Sequence, residues 1–473
     1  MDHEDKPQSE GESAPEESLE IFEPQSSPSL AGIGVVRKVL SAALRWQDPQ
    51  IWIMLIGRFA TAVAFSLFFP FLSIYLTTTR GVTFEQVGFL YLLIGLSGAL
   101  SKVHGGILAD RWGRKTTMWV ALTLRAGTFL GLAYMLAHDA PWYWIGCLIV
   151  LASYVGHFFI PAAHALISDR TSGQKRVDAF GLFRVATNLG WAIGPALGGF
   201  VPAEFYPQLL IIMGLTYGGV GIALALVLVE SRAGKAREAA GLGGLHFVTR
   251  HWRFLLYCLN ITLIFTVMGQ MMGILSAYTV KYIGLTLTHV GFLFSLNGLL
   301  VVTLQVPLAS IIGRTRMTRA LLAGSLLYSA GYLLVGFVPD FGLLALAMII
   351  ITFGEMIVQP AGLTLASRLA PEDQRGRFLG VFGMFNHLGW SIGPYLGGMS
   401  LHAFSERPWV TWVIVSGLGL VAGAGFFALK WILPASADLV GGDAPGDRPL
   451  RGDEEAADPT PDDTKVSSGG SKE

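Results

Sequence analysis

Charged residues are scarce in this sequence. Asp, Glu, Lys and Arg make up only 14% of the 473 residues, whereas a soluble chain carries about a quarter. The 33 basic and 33 acidic side chains give a formal net charge of +0, which excludes the basic balance of a nucleic-acid-binding protein. Most of the surface of this chain is therefore not expected to face water.

Cysteine is also nearly absent. Cys147 and Cys258 both fall inside apolar runs, which excludes a disulfide framework and a thiolate metal site. The sequence shows no nucleophile–base set, phosphate-binding loop or metal-ligand cluster. We therefore predict no cofactor, no metal and no enzymatic activity.

Long apolar runs dominate what is present, and 52% of the residues are hydrophobic. A helix that crosses the hydrocarbon needs about 20 mostly apolar residues. Short loops make neighbouring helices antiparallel. The runs predict an all-α membrane protein with twelve transmembrane helices, near 51–77, 85–104, 116–137, 142–168, 179–201, 207–229, 252–281, 287–312, 319–338, 342–369, 378–400 and 408–433.

Basic residues concentrate in the even-numbered connections between these spans. Cytoplasmic loops of membrane proteins carry an excess of Lys and Arg. We therefore predict a multi-pass protein of the plasma membrane (a bacterial inner membrane) with both termini in the cytoplasm. The residues on which this rests include Arg111, Arg114, Lys115, Arg170, Lys175, Arg176, Arg232, Lys235, Arg314, Arg316, Arg368 and Arg375.

The two ends of the chain are polar and lack a signal peptide. We predict a disordered acidic tail over 1–49, whose last part is either an interfacial helix or a lead-in to the first span. Residues 50–229 form the N-terminal six-helix half, 230–251 a cytoplasmic linker, and 252–433 the C-terminal half. Residues 434–473 form a second disordered tail.

An internal repeat relates the two halves. Residues 180–199 read FGLFRVATNLGWAIGPALGG, and 379–398 read LGVFGMFNHLGWSIGPYLGG, with eleven of twenty positions identical at an offset of 199. Two pseudo-symmetric halves that enclose a solute at the bilayer midplane form a transporter architecture.

A second motif lies between the second and third predicted spans. Residues 106–115 read GILADRWGRK, and this run resembles the GxLADRxGRK signature of the major facilitator superfamily. Its glycines, Gly106 and Gly113, permit a tight reversal and close helix contact. The resemblance implies the major facilitator fold and a conformational latch formed by Asp110, Arg114 and Asp169, which steadies the outward-facing state.

The repeated glycine motif resembles the antiporter motif of drug–proton exchangers within that family. Symmetric packing alone is an alternative, because both halves carry it. The subgroup's Arg in the fourth span is missing, since Ala152 stands four residues before Gly156. The motif residues are Gly190, Gly194, Pro195, Gly198 and Gly199, with the copies Gly389, Gly393, Pro394, Gly397 and Gly398.

One acid, Glu355, lies near the middle of a predicted span. A bare carboxylate there costs at least ~2.5 kcal/mol, so it faces protein or water, and such residues often carry protons. Glu355 matches Gly156 by the repeat, so we expect it to face the neighbouring His157 across a central cavity as a proton-coupling pair. A structural hydrogen bond between helices is the alternative.

Scattered polar and aromatic residues in the spans suggest a broad, mostly apolar substrate cavity. Lipid-facing positions would supply the same residue types, which leaves that alternative open. The candidates are Arg58, Phe65, Phe69, Tyr154, Asn188, Asn260, Gln270, Asn297, Gln359 and Asn386.

Together these features predict a monomeric, proton-coupled exporter of amphipathic or hydrophobic small molecules that works by alternating access. Its partners are the small-molecule substrate, protons and the lipid bilayer. The alternatives are a proton-coupled importer, a lipid or lysolipid flippase on the same fold, and a membrane receptor without transport.

Overall fold

The computed structural model describes residues 48–230, 251–371 and 374–438, and these residues form helices joined by short loops. Ala435–Asp438 of the predicted C-terminal tail form a short helix, but most of the predicted tails and of the predicted linker lie outside the described residues. Within them are twelve long helical segments: α1 Pro49–Thr79, α2 Phe84–Trp112, α3 Arg114–Ala137, α4 Trp142–Arg170, α5 Gly173–Gly198, α6 Ala203–Val227, α7 Trp252–Lys281, α8 Leu287–Ile312, α9 Met317–Val335, α10 Phe341–Leu369, α11 Arg375–Ala403 and α12 Trp409–Ile432.

Ten of these segments are long and apolar enough to cross a membrane. The other two, α5 and α11, have 26 and 29 residues and are less apolar because each begins with basic residues and carries the glycine motif. Each predicted span overlaps one of the twelve helices. The predicted fold class, an all-α membrane protein in two six-helix halves, is confirmed.

Helix starts follow from local capping chemistry. The Thr83 hydroxyl accepts a hydrogen bond from the Gln86 amide, and Thr286 occupies the same place before α8. Side-chain caps of this kind satisfy amides that have no partner within the helix. The two caps correspond through the repeat, and they begin α2 and α8 at equivalent positions of the two halves.

The repeated glycines pack helices within each half. A Cβ at Gly194 of α5 would lie 2.8 Å from the Val63 carbonyl oxygen of α1, and one at Gly389 of α11 would lie 2.5 Å from the Thr262 carbonyl oxygen of α7. No side chain fits at these distances, so only glycine lets the backbones approach so closely. The motif therefore has the same packing function in both halves.

Two seams join the halves. In the first seam, between α2 and α11, a Cβ at Gly88 would lie 2.6 Å from the Pro394 carbonyl oxygen. In the second seam, between α5 and α8, a Cβ at Gly291 would lie 2.5 Å from the Pro195 carbonyl oxygen. Here the halves meet backbone to backbone. Both contacts lie at the end of the bundle remote from Asp110, which we call the far side.

The opposite end, where Asp110 lies, is the latch side, and there the halves stand apart. A Cβ at Gly181 of α5, or at Gly380 or Gly383 of α11, would have no atom within 4 Å. His164 and Arg184 are exposed although they lie well inside α4 and α5. The structure is thus closed on the far side and open on the latch side.

Candidate functional site

A central cavity of about 330 Å³ lies between the halves, below the far-side closure. Its volume falls in the range of small-molecule sites. Of the predicted cavity residues, Phe65, Phe69 and Asn386 line it, and so does His157. The other lining residues include Phe68, Leu72, Tyr91, Ile94, Arg125, Phe129, Ile149, Ser153, Met213, Met272, His387, Trp390 and Ser391.

Arg125 of α3 supplies the guanidinium in the cavity lining. Its guanidinium carbon lies 4.8 Å from the ring centroid of Phe65 and 5.1 Å from that of Tyr217. It also lies against Gly156, where a Cβ would come within contact of the guanidinium. The fourth span lacks the arginine expected there, but α3 supplies a guanidinium beside the same glycine. Sequence spacing along one helix could not reveal this placement.

A lysine lies at the first seam, outside the set of residues that line the cavity. Lys102 of α2 contacts the Nε2 atom of His387 of α11, so this pair joins the two halves. His157 lies close by, with its Nδ1 atom 2.8 Å from the Ser153 carbonyl oxygen. Lys102 is not among the residues predicted from the sequence. A lysine within an apolar run was the available signal.

Glu355 lies in the C-terminal half, close to the second seam. Its Oε2 atom accepts a hydrogen bond of 2.9 Å from Asn297 of α8, and its Oε1 atom accepts one of 2.9 Å from Gln359 of α10. The charge of Arg184 on α5 acts on the carboxyl from the other half. The sequence predicted that Asn297 and Gln359 line the cavity. In the structure they hold the acid instead.

Glu355 is not among the residues that line the central cavity. The predicted pairing of Glu355 with His157 across the cavity is therefore not seen in this state. The repeat places the two residues at matching heights, but the amides of α8 and α10 turn the carboxyl towards the second seam.

Other predicted cavity residues serve packing. The Asn260 side chain donates a 2.8 Å hydrogen bond to the Ala422 carbonyl, and that of Gln270 donates one of 2.6 Å to the Gly393 carbonyl. Arg58 donates to the Thr187 hydroxyl at 2.8 Å, and the Tyr154 hydroxyl bonds to His104. Asn188 is half-buried on α5. None of these five lines the cavity.

The predicted latch residues do meet. Arg114 Nη1 lies 3.1 Å from Asp110 Oδ1, and Arg114 Nε lies 3.2 Å from Asp169 Oδ2. All three belong to the N-terminal half, so in this state, open on the latch side, they tie α2, α3 and α4 together. The ion pairs alone do not hold the two halves closed.

The two latch glycines differ in function. Gly113 has φ of +92° and forms the turn between α2 and α3. Close helix contact is made not by Gly106, where a Cβ would meet open space, but by Gly105, where a Cβ would lie 2.7 Å from the Phe158 Cα atom. The close contact predicted at Gly106 is therefore displaced by one residue.

A carboxylate after the last helix of each half caps the third helix of that half. Glu230 accepts hydrogen bonds from the Lys115 and Thr116 amides, at 3.0 and 3.1 Å. Asp438 accepts from the Thr318 amide at 2.8 Å and from its hydroxyl at 2.7 Å. A carboxylate at a helix N-terminus is stabilising. The sequence alone did not indicate either cap.

Two six-helix halves, sealed at one end around a central cavity and open at the other, define a multi-pass membrane transporter. The family model of the Major Facilitator Superfamily matches residues 54–394. The chain belongs to the Major Facilitator Superfamily.

Curated relatives of similar length include two bacterial transporters. The chain is 27% identical over 399 residues to the MFS-type transporter YqjV of Bacillus subtilis, covering 82% of this chain and 95% of that protein. It is 26% identical over 395 residues to the multidrug resistance protein MdtH of Escherichia coli K12, covering 80% and 93%.

Solved structures share the fold. The nucleoside transporter NupG has a TM-score of 0.69 at 16% identity, covering 81% of this chain and 99% of that chain. A bacterial homologue of the human lysosomal transporter Spinster, in an inward-facing and unoccupied conformation, has a TM-score of 0.65 at 14% identity, covering 84% and 97%.

Proposed function

We propose that this transporter exports amphipathic or hydrophobic small molecules in exchange for protons, and that Glu355 carries the proton. The observation that carries the proposal is the setting of Glu355. It is an acid in the middle of a transmembrane helix, and it accepts hydrogen bonds from Asn297 and Gln359. The positive charge of Arg184, in the other half, also interacts with it. The multidrug resistance name of the MdtH relatives favours export.

The proposed coupling follows from this geometry. Ionised Glu355 attracts Arg184 and draws α5 towards α10, whereas protonated Glu355 loses that attraction. Because Arg184 and Glu355 belong to different halves, proton binding changes the relative free energy of the two openings. Tyr328 and Tyr332 are the other titratable groups close to the acid.

The latch side is assigned to the cytoplasm under this proposal. Basic residues collect on that side, and both ends of the described chain lie there, since Asp48 pairs with Arg170 at 3.7 Å and Asp438 caps α9. The structure then represents the inward-facing state. The Asp110–Arg114–Asp169 latch is proposed to act in the opposite state by presenting a fixed surface to the C-terminal half.

The test uses proteoliposomes that contain the full chain and a pH-sensitive dye. Ethidium, 1-naphthol and 2-naphthoate serve as cationic, neutral and anionic amphiphiles. Wild type is expected to move protons when a substrate is added and to accumulate that substrate against a gradient when a pH gradient is imposed. Glu355→Gln should abolish this coupling, while Glu406→Gln, an exposed far-side acid, should keep it. Full gradient-driven transport by Glu355→Gln would refute the proposal.

A further inference from the structure

The lining of the central cavity contains the guanidinium of Arg125 and no carboxylate. Among its lining residues the ionisable side chains are Arg125, His157, His387 and Tyr91. The acid that we assign to proton coupling lies outside it. A cavity for lipophilic cations would be expected to present a carboxylate to its ligand, whereas this one presents the opposite charge.

Arg125 has no counter-ion in the part of the chain that the structure describes. Its Nε atom is buried without a hydrogen-bond partner, and its recorded contacts are with the aromatic rings of Phe65, Phe129 and Tyr217. Cation–π contacts stabilise a guanidinium, but they do not replace the hydrogen bonds that it makes in water. The guanidinium is therefore poised to accept an anion.

Neighbouring cations add to the same field. The charges of Arg58, Lys102 and Arg125 all act on His157 in the cavity wall. Lys102 contacts His387 instead of an acid, and Arg58 donates to a threonine hydroxyl. Arg125 lies in the lining and Arg58 and Lys102 lie outside it. None of the three makes an ion pair with the described residues, which leaves a site that an anion would complete.

The apolar part of the cavity accommodates the rest of such a ligand. Phe65 and Phe69 stack with ring centroids 4.6 Å apart, and Phe65 meets Trp191 edge-on at 5.9 Å. Phe68, Met272 and Trp390 extend the apolar surface. An aromatic or aliphatic body would bury against these side chains while its charged group reaches Arg125.

We propose that the cavity binds anionic amphiphiles, through a carboxylate, sulfonate or phosphate group placed at Arg125 and within the field of Lys102. This rests on the proposed function, because it names the class of compound that the transporter carries. The anion can belong to a free aromatic acid or to a single-chain phospholipid, and both present the same chemistry to the site.

The test measures binding without any gradient. The full chain in nanodiscs of zwitterionic lipid is titrated with tritiated 2-naphthoate, and unlabelled competitors are 2-naphthamide, 2-naphthylmethylammonium and a single-chain phosphatidylglycerol. We expect an anion, either the naphthoate or the phospholipid, to bind at least about tenfold more tightly than the amide or the ammonium. Competition by the phospholipid alone would identify a lipid as the natural source of the anion.

Variants locate the binding. Arg125→Gln should remove the preference for anions, and Arg125→Lys should retain most of it because the charge remains. Lys102→Gln should weaken it by a smaller factor, which keeps the inference testable even if Arg125→Gln does not fold. Arg319→Gln, an exposed arginine of α9 outside the cavity, is the matched control and should bind like wild type.

Equal or tighter binding of the ammonium or the amide would overturn the inference, as would an anion preference that survives in Arg125→Gln. Its failure is distinguishable from failure of the proposed function. A transporter of neutral compounds would still exchange protons through Glu355, and an anion-binding protein without proton exchange would retain the binding preference.

Discussion

The two seams that join the halves can be compared residue by residue through the internal repeat. Gly88 against the Pro394 carbonyl in the first seam corresponds to Gly291 against the Pro195 carbonyl in the second, with hypothetical Cβ distances of 2.6 and 2.5 Å. Further towards the latch side, about four turns along α2 and two along α11, the seams diverge. Lys102 and His387 meet in the first, and the equivalent positions in the second are Gln305 and Asn188.

The two seams share their packing residues but differ in their charged residues. Both seams need glycine, because two helix backbones touch there when the far side is closed. Only the first seam carries the contact between Lys102 and His387, and the acid Glu355 lies by the other. The glycine contacts that pack the halves are thus the same in both seams, whereas the charges differ. Arg125 lies in the cavity lining and Lys102 at the first seam, and the carboxylate of Glu355 lies beside the second seam.

The largest effect is expected from a side chain forced into either seam. Gly88→Val and Gly291→Val each place atoms on a carbonyl of the opposite half. This destabilises the closed far side by about 1–3 kcal/mol and lowers its equilibrium constant by roughly 5- to 150-fold. Spin labels at Asp139 and Glu406, on far-side loops of different halves, should report longer distances in a chain whose Cys147 and Cys258 are replaced by alanine.

Gly127→Val is the control for both variants, because a Cβ at Gly127 of α3 meets open space. It should leave the far-side distance unchanged. If only one seam variant widened the far side, the mechanical equivalence of the seams would be wrong.

An intermediate effect is expected when the first seam is converted to the chemistry of the second. Lys102→Gln combined with His387→Asn keeps the packing glycines but removes a charge at the cavity edge. Binding of 2-naphthoate should weaken by about fivefold, since such a charge contributes about 1 kcal/mol at a high effective dielectric. Lys102→Arg keeps the charge and should bind like wild type, and equal weakening by Lys102→Arg would argue for a shape effect.

The smallest effects are expected at the two helix caps. Glu230→Gln and Asp438→Asn each weaken a charged cap, which is worth about 0.5–2 kcal/mol. Asp438 is buried and Glu230 is exposed, so Asp438→Asn should lower the midpoint of thermal unfolding in nanodiscs by more. A larger loss at Glu230 would show that burial of the carboxylate does not decide which cap stabilises its half more.

Periodicity and repetition predicted most of the fold, because apolar length and glycine spacing determine which segments cross the membrane and pack. The charges of the site were only partly predictable. Asp110, Arg114 and Asp169 were found through a motif, and Glu355 through its depth. Arg125 and Lys102 were not assigned to the cavity, because their positions depend on which helix faces the seam, and that is set by packing between distant segments.

Distance measurements across the latch side test the central claim, that the charge state of Glu355 biases the two openings. Spin labels replace Lys175 and Arg377, which are exposed on different halves, and distances are recorded at mildly acidic and mildly alkaline pH in nanodiscs. If proton binding at Glu355 sets the balance of the two openings, the distance distribution shifts with pH in the wild-type background and becomes independent of pH in Glu355→Gln. An undiminished pH-dependent shift in Glu355→Gln would contradict that claim.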